Sequence, residues 1–156
     1  PTPLISLNKL SKELNIKKAQ TFVKESAKNG AKIILLPELF TSIYFCKDKN
    51  EKYFSLAKEL KNNKLIKHFS LLAKELKVVL LISYFEKSQK EYFNSLVVID
   101  ADGTIMDNYR KTHIPDGAGY EEKFYFKSGD TGFKVYDTIY AKIGVGICWD
   151  QWFCET

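Results

Sequence analysis

The sequence predicts a layered α/β domain, and three observations carry that prediction. Asn15 can cap a helix whose apolar residues Ile16, Ala19, Phe22, Val23 and Ala27 recur at helical spacing, and Asn29-Gly30 supplies its stop. Ile33-Ile34-Leu35-Leu36 follows at once as an unbroken apolar run, the pattern of a strand buried on both faces. A second helical region, about residues 51 to 76, again runs into an apolar strand, Val78 to Phe85. A helix feeding directly into a buried strand is the signature of stacked α and β layers, and 156 residues suit one domain.

The remaining elements follow from period and punctuation. The second helical region has Phe54, Ala57, Leu60, Leu65, Phe69, Leu72 and Leu76 on its inner side. Glu86 to Glu91 is polar and turn-like, and Tyr92 to Asp100 reads as a strand. Ala101-Asp102-Gly103 is a tight hairpin turn, after which Thr104 to Arg110 should return antiparallel. Lys111 to Gly132 loses periodicity and carries Pro115, Gly117, Gly119, Gly129 and Gly132. It is expected to be one long ordered loop, packed through Tyr120, Phe124, Tyr125 and Phe126, and loops of that length are commonly functional. The closing strands are Phe133 to Thr138 and Ala141 to Cys148; no repeat, low-complexity tract or linker is present.

Composition narrows the function. Hydrophobic residues make up 45% and charged residues 28%, which excludes general disorder. The net charge of +5 comes from lysines scattered along helical stretches, such as Lys12, Lys17, Lys18, Lys24 and Lys28, which describes a solvated face. Nucleic-acid binding would ask for a basic stripe interleaved with aromatics; no such stripe is evident in the sequence, and no nucleic-acid partner is expected. Cys46, Cys148 and Cys154 are odd in number and lack CxxC spacing, so a reduced, intracellular protein is expected. His68 and His113 show no paired ligand spacing, and neither a metal nor another cofactor is expected. The longest apolar runs, Ile33 to Leu36 and Val78 to Ser83, fall far below the ~20 residues of a membrane span, so a cytoplasmic protein without membrane partners is expected.

Three polar residues fall at strand ends, where α/β sheets form their sites: Glu38, Lys111 and Cys148. Singly each has an ordinary explanation, as a turn carboxylate, a surface cation and a small buried hydrophobe. Together they supply the parts of an acyl-transfer site. A carboxylate can take the thiol proton, an ammonium favours the thiolate, and the same ammonium with backbone N–H groups can hold an oxyanion. The Trp149 N–H follows the sulfur directly and is one such donor, while Gly144 and Gly146 leave room for close backbone approach.

Three stretches resemble the Glu, Lys and Cys signatures of the nitrilase superfamily, in the expected chain order. They are Leu35-Leu36-Pro37-Glu38-Leu39-Phe40, Tyr109-Arg110-Lys111-Thr112-His113-Ile114-Pro115-Asp116-Gly117 and Gly144-Val145-Gly146-Ile147-Cys148-Trp149-Asp150. Within the superfamily, Tyr44-Phe45-Cys46, Ile99 to Thr104 and Arg110 through Phe153 are similar to the branch that hydrolyses N-carbamoylputrescine in polyamine biosynthesis. The resemblance covers about residues 15 to 156. It implies a nitrilase-like α-β-β-α sandwich of which this chain holds only the N-terminal half to two-thirds. Residues 1–156 would then be a carbon-nitrogen hydrolase domain that is C-terminally incomplete.

Carried over by residue, the resemblance implies Glu38 as general base, Lys111 as oxyanion-stabilising cation and Cys148 as nucleophile. It also implies a supporting carboxylate at Glu122, with Glu121 the lesser candidate. The substrate would be a small carbamoyl-amine, and the full-length protein a homo-oligomer. The alternatives are a β-ureidopropionase, an ω-amidase or a nitrilase, or an inactive module acting through oligomerisation. Two departures stand out: Pro1 to Leu14 lacks the regular first strand of the family, and Cys154 stands where a Pro is typical. By itself the chain should leave open sheet edges and an exposed apolar layer, and should be inactive or unstable.

Overall fold

The structure, a computed structural model, describes residues 9–156. Helix α1 (Lys9–Lys28) leads into β1 (Ile33–Leu35). Helix α2 (Lys64–Leu76) leads into β2 (Val79–Ser88), β3 (Glu91–Ile99) and β4 (Ile105–Arg110). The short α3 (Glu122–Tyr125) interrupts the following loop, and β5 (Val135–Asp137) and β6 (Lys142–Gly144) close the order. β1 to β4 form one sheet in sequence order, with β1 parallel to β2 and the other pairs antiparallel. β5 and β6 pair separately.

Strand alternation builds the layers. Val78, Leu80, Ile82 and Tyr84 turn to one face with Val97 and Ile99, and pack there against Ala19 and Val23 of α1 and Ile66, Phe69 and Leu72 of α2. Val79, Leu81, Leu96, Val98 and Tyr109 turn to the other face and meet Tyr136 of β5 and Ile143 of β6. The result is an α-β-β stack. A third cluster of Phe45, Tyr53, Phe85, Tyr125 and Phe126 fixes the long loop beyond the end of β2.

Several expected boundaries move. Helix α1 starts by Lys9, so Asn15 is an interior residue and not the cap. Lys9 to Leu14 consists largely of good helix formers, which carry the helix past that position. The expected absence of a regular first strand lies partly outside the described residues, and residues 9–14 are helical. The stop is as expected. Ala31 N–H bonds to Ser26 O and Gly30 N–H to Ala27 O around a left-handed Gly30 (φ +94°), the double bond of a Schellman cap. Phe22 is exposed, with Lys18 Nζ 5.8 Å from its ring centroid.

The expected helix over 51–76 is helical in the α sense only from Lys64. Glu51–Leu56 and Leu60–Asn62 are 3₁₀ turns, because Lys58 between them pairs with β2: its N–H bonds to Phe85 O, and Lys87 N–H bonds to its carbonyl. Asn63 then caps α2 by accepting from Leu65 N–H at 3.0 Å. β2 runs on to Ser88, so Glu86 and Lys87 are strand residues and the turn shrinks to Gln89-Lys90, with Gln89 left-handed. The closing strands are shorter than expected, and Cys148 opens a 3₁₀ turn (Cys148–Trp152) beyond β6.

β1 is not buried on both faces. Ile34 packs against the helical core, while Leu35 is 65% exposed and Ile33 40%. β1 pairs with β2 alone, and Val135 and Ile139 are also exposed, at 69% and 71%. An open edge and an exposed apolar surface are therefore present among the described residues. No helix of the described residues is long and apolar enough to cross a membrane.

Gly129 tests how tightly the loop is seated on the sheet. Its N–H bonds to Lys111 O at 2.8 Å, and a Cβ there would lie 2.1 Å from Arg110 O. Gly129→Ala must push the backbone off the end of β4. Chemical denaturation should show a loss of about 1–3 kcal/mol. Unchanged stability would mean that the loop yields freely.

Candidate active site

The end of β4 carries two adjacent cations, and strand alternation sends them to opposite faces. Arg110 takes Glu86 in a bidentate pair (Nη2–Oε1 2.7 Å, Nε–Oε2 2.9 Å), lies over the Phe93 ring and reaches Asp130 at 2.8 Å. Lys111 turns to the β5–β6 side and is fully buried. Its Nζ donates to Glu122 Oε2 at 2.7 Å and to Glu38 Oε1 at 3.2 Å. A cation bridging two carboxylates is the opposite of the solvated lysine that its sequence context ordinarily means.

Each carboxylate is held from a second side. Glu38 lies in the turn after β1, where Leu39 has positive φ (51°) and its N–H donates to Ser83 Oγ of β2 at 2.9 Å. Asn94 of β3 donates from Nδ2 to Glu38 Oε1 at 2.5 Å, and its carbonyl accepts the Lys111 N–H at 2.8 Å. One buried asparagine therefore positions the carboxylate through its side chain and the cation through its backbone. Both donors fall on Oε1; Oε2 of Glu38 has no hydrogen-bond partner among the described residues. Glu122 opens α3 and accepts from Tyr44 Oη at 2.7 Å, whereas its neighbour Glu121 pairs outward with Lys49 at 2.9 Å.

Cys148 opens into a cleft of ≈ 370 Å³ lined by Leu35, Pro37, Glu38, Ser83, Leu96 and the turn from Gly146. Its backbone is left-handed (φ 50°), a conformation that costs about 1–3 kcal/mol in a non-glycine residue and persists only where the surroundings hold it. A Cβ on Gly146 would press on Asp150 Cβ at 3.3 Å, so close packing explains that glycine; one on Gly144 would meet open space, so it does not explain that one.

The electrostatics are mutual. Burial works against the Lys111 charge, but Glu38 and Glu122 outweigh it and raise its pKa, so the ammonium persists. Burial raises the Glu122 carboxyl, with Lys111 and Tyr44 opposing. Partial burial of the Cys148 thiol, then the Glu38 charge, raises its pKa, against Lys111 and the Trp149 N–H. Both effects favour the thiol over the thiolate, and Glu38 lines the same cleft, an arrangement suited to proton transfer from sulfur to carboxylate. Cys46 is fully buried and its thiol is raised well beyond the ordinary range by burial and by Glu122 and Glu38.

The structure thus brings Glu38, Lys111 and Glu122 into one hydrogen-bonded cluster and sets Cys148 in the cleft that Glu38 lines. Asn94, Tyr44 and Asp150 escaped the sequence reading as positioning groups. The available signal was a polar pair, Asn94-Ser95, inside an otherwise apolar strand. His113 stacks on Phe153, with ring centroids 3.6 Å apart and planes 3° apart, and bonds Asp150. Among the described residues no group of three or more His, Cys, Asp or Glu side chains could hold a metal ion.

Comparison with known proteins agrees with this geometry. The chain is 55% identical over 141 residues to the citrullinase of Francisella tularensis subsp. tularensis, covering 90% of this chain and 49% of that one. It is 54% identical to the N-carbamoylputrescine amidase of Arabidopsis thaliana, covering 90% and 47%. The crystal structure of a carbon-nitrogen hydrolase from Helicobacter pylori G27 superposes with a TM-score of 0.85 at 39% identity, over 91% of this chain and 49% of that one. Saccharomyces cerevisiae Nit3, a member of the nitrilase superfamily, gives 0.76 at 29% identity over 91% and 52%. The chain spans about half the length of the curated relatives it matches. The carbon-nitrogen hydrolase family model matches residues 3–156, and with its three signature stretches and mixed α/β stack the chain belongs to that family, within the nitrilase superfamily.

Proposed function

We propose that the full-length protein hydrolyses N-carbamoylputrescine to putrescine, ammonia and carbon dioxide, a step of polyamine biosynthesis in the cytoplasm, with Cys148 as nucleophile. The observation that carries this proposal is the buried Lys111 ammonium bridging Glu38 and Glu122 beside the cleft into which Cys148 opens. The unpartnered Oε2 of Glu38 accepts the thiol proton as sulfur attacks the carbamoyl carbon. Lys111 and the Trp149 N–H hold the oxygen of the tetrahedral intermediate, and Glu122 keeps Lys111 charged and aimed. The carbon–nitrogen bond to the terminal NH2 breaks, and Glu38 returns the proton to the departing ammonia. Water, deprotonated by Glu38, attacks the S-carbamoyl intermediate, and sulfur leaves as the thiol. The released carbamate loses carbon dioxide to give the amine.

A second reading is citrulline hydrolysis, which the 55% identity to a citrullinase favours. Both substrates present the same terminal ureido group and differ in the distal end. The test is ammonia release by the full-length protein from N-carbamoylputrescine, citrulline, N-carbamoyl-β-alanine and a simple ω-amide. Preference for N-carbamoylputrescine supports the first reading, preference for citrulline the second, and turnover of neither ureide refutes both. A cysteine-directed electrophile separates the enzyme from an inactive module. Cys148 should be modified well before Cys46, with a pH midpoint that falls in Glu38→Gln, because that carboxylate's charge raises the thiol. Equal labelling of the two would favour the module. We further propose a homo-oligomeric full-length protein, to be checked by light scattering.

A further inference from the structure

We propose that Asp150 is a positioning residue whose carboxylate clamps the Cys148 turn to the segment that carries Lys111. The proposal rests on Cys148 acting as the nucleophile. Asp150 is fully buried, and the hydrogen bonds of its carboxylate go to two places. Oδ2 accepts the Ile147 N–H at 2.9 Å and the Tyr109 hydroxyl at 2.8 Å. Oδ1 accepts the His113 backbone N–H at 2.9 Å and the His113 Nδ1–H at 2.9 Å. Its own N–H returns to Ile147 O at 3.1 Å, closing the turn around the sulfur.

Those partners flank the two reacting groups. Ile147 immediately precedes Cys148, while Tyr109 and His113 lie two residues either side of Lys111. The carboxylate therefore ties nucleophile to cation across 41 residues of chain, through one rigid group. Burial, with the Asp150 charge adding to it, pushes the Tyr109 phenol up to about 12, which keeps it a donor. Phe153, at the other end of the turn, stacks on His113 and closes the clamp from outside. A left-handed Cys148 needs such support, since nothing in a free turn would hold it there.

The donor set also explains why a carboxylate is required. Each oxygen accepts one backbone N–H, and a backbone N–H cannot reverse its role. Tyr109 could rotate its hydroxyl and His113 could change tautomer, but Ile147 and His113 N–H could not adapt. An asparagine in either orientation would set its NH2 against one of them. Asp150→Asn is thus a disruptive change despite its shape.

The test uses the full-length protein and ammonia release from a terminal ureide. Asp150→Asn should lower kcat by about 100-fold, the scale of a 1 Å misplacement, with KM changed by less than about threefold. The pH midpoint of Cys148 alkylation should fall toward the ordinary thiol value, because a released sulfur leaves the surroundings that raise it. A purely structural role would lower the melting temperature and leave the alkylation midpoint of the folded protein in place. Should Asp150→Asn fail to fold, Tyr109→Phe and His113→Phe each remove one bond to the same carboxylate. Each should then lower kcat by roughly 3–10-fold, in line with one lost hydrogen bond, with the midpoint moving the same way. Parental kcat and midpoint in a folded Asp150→Asn, or in both single-bond variants, overturns the proposal. Turnover retained in Cys148→Ala would instead overturn the nucleophile beneath it.

Discussion

Cys148→Ala in the full-length protein should abolish ammonia release, a fall of about 10⁴-fold or more, while the protein stays folded. The magnitude follows from the covalent route: removing a nucleophile leaves only the binding and oxyanion contributions, which belong to a different and much slower reaction. Stability should hardly change, because the residue is exposed and opens into the cleft. Removing the sulfur also removes its influence on Lys111, but the two carboxylates still hold that ammonium. The paired measurement is turnover against thermal unfolding. Ammonia release near the parental rate in a folded variant would exclude the covalent mechanism.

Lys111→Met should damage both folding and turnover. Methionine fills similar volume but leaves Glu122 fully buried and Glu38 facing it without a cation. Breaking a buried ion pair on one side costs about 3–5 kcal/mol. The cost should depend on pH with a definite sign. Burial already raises the Glu122 carboxyl, and losing Lys111 raises it further. A carboxyl with a folded pKa above its unfolded value folds best protonated. The deficit should therefore be smallest below the unfolded value, about 4.3, and widen as pH climbs through the raised folded value. Adding Glu122→Gln should recover much of the stability and none of the activity, since in the proposed mechanism the oxyanion still lacks its cation. Urea titrations at pH 5 and pH 8 provide the check. A deficit that is equal at both pH values would mean that Glu122 is not the uncompensated group.

Much of the fold was legible because periodicity reports burial. The α1 stop, β3, the Asp100–Thr104 turn and the return of β4 all follow from local pattern and turn chemistry. The errors occurred where tertiary contacts overrode local preference. Lys58 sits in a sequence that reads as helix, but its backbone pairs with β2, and the helix is broken into 3₁₀ turns. Glu86 and Lys87 read as turn because they are charged, yet Glu86 belongs to a strand and is paid for by Arg110 across the sheet. The apolar run of β1 signals hydrophobicity without saying which layer covers which face, and Leu35 is uncovered among the described residues.

By itself, the sequence determined the layered α/β class, the family signatures and the identity of Glu38, Lys111, Cys148 and Glu122 as residues worth testing. Residue types and their chain order are enough for Glu38, Lys111 and Cys148, because the chemistry of a thiol, a carboxylate and an ammonium is intrinsic to each, whereas Glu122 came from the family resemblance. Only the tertiary structure decided that Lys111 is buried between Glu38 and Glu122 while Arg110 turns away. It alone also revealed that Asn94 and Lys111 share one Glu38 oxygen, leaving the other without a partner among the described residues, and that Asp150 ties the Cys148 turn to Tyr109 and His113. Those facts depend on strand register and on distances between segments dozens of residues apart, which no local pattern encodes.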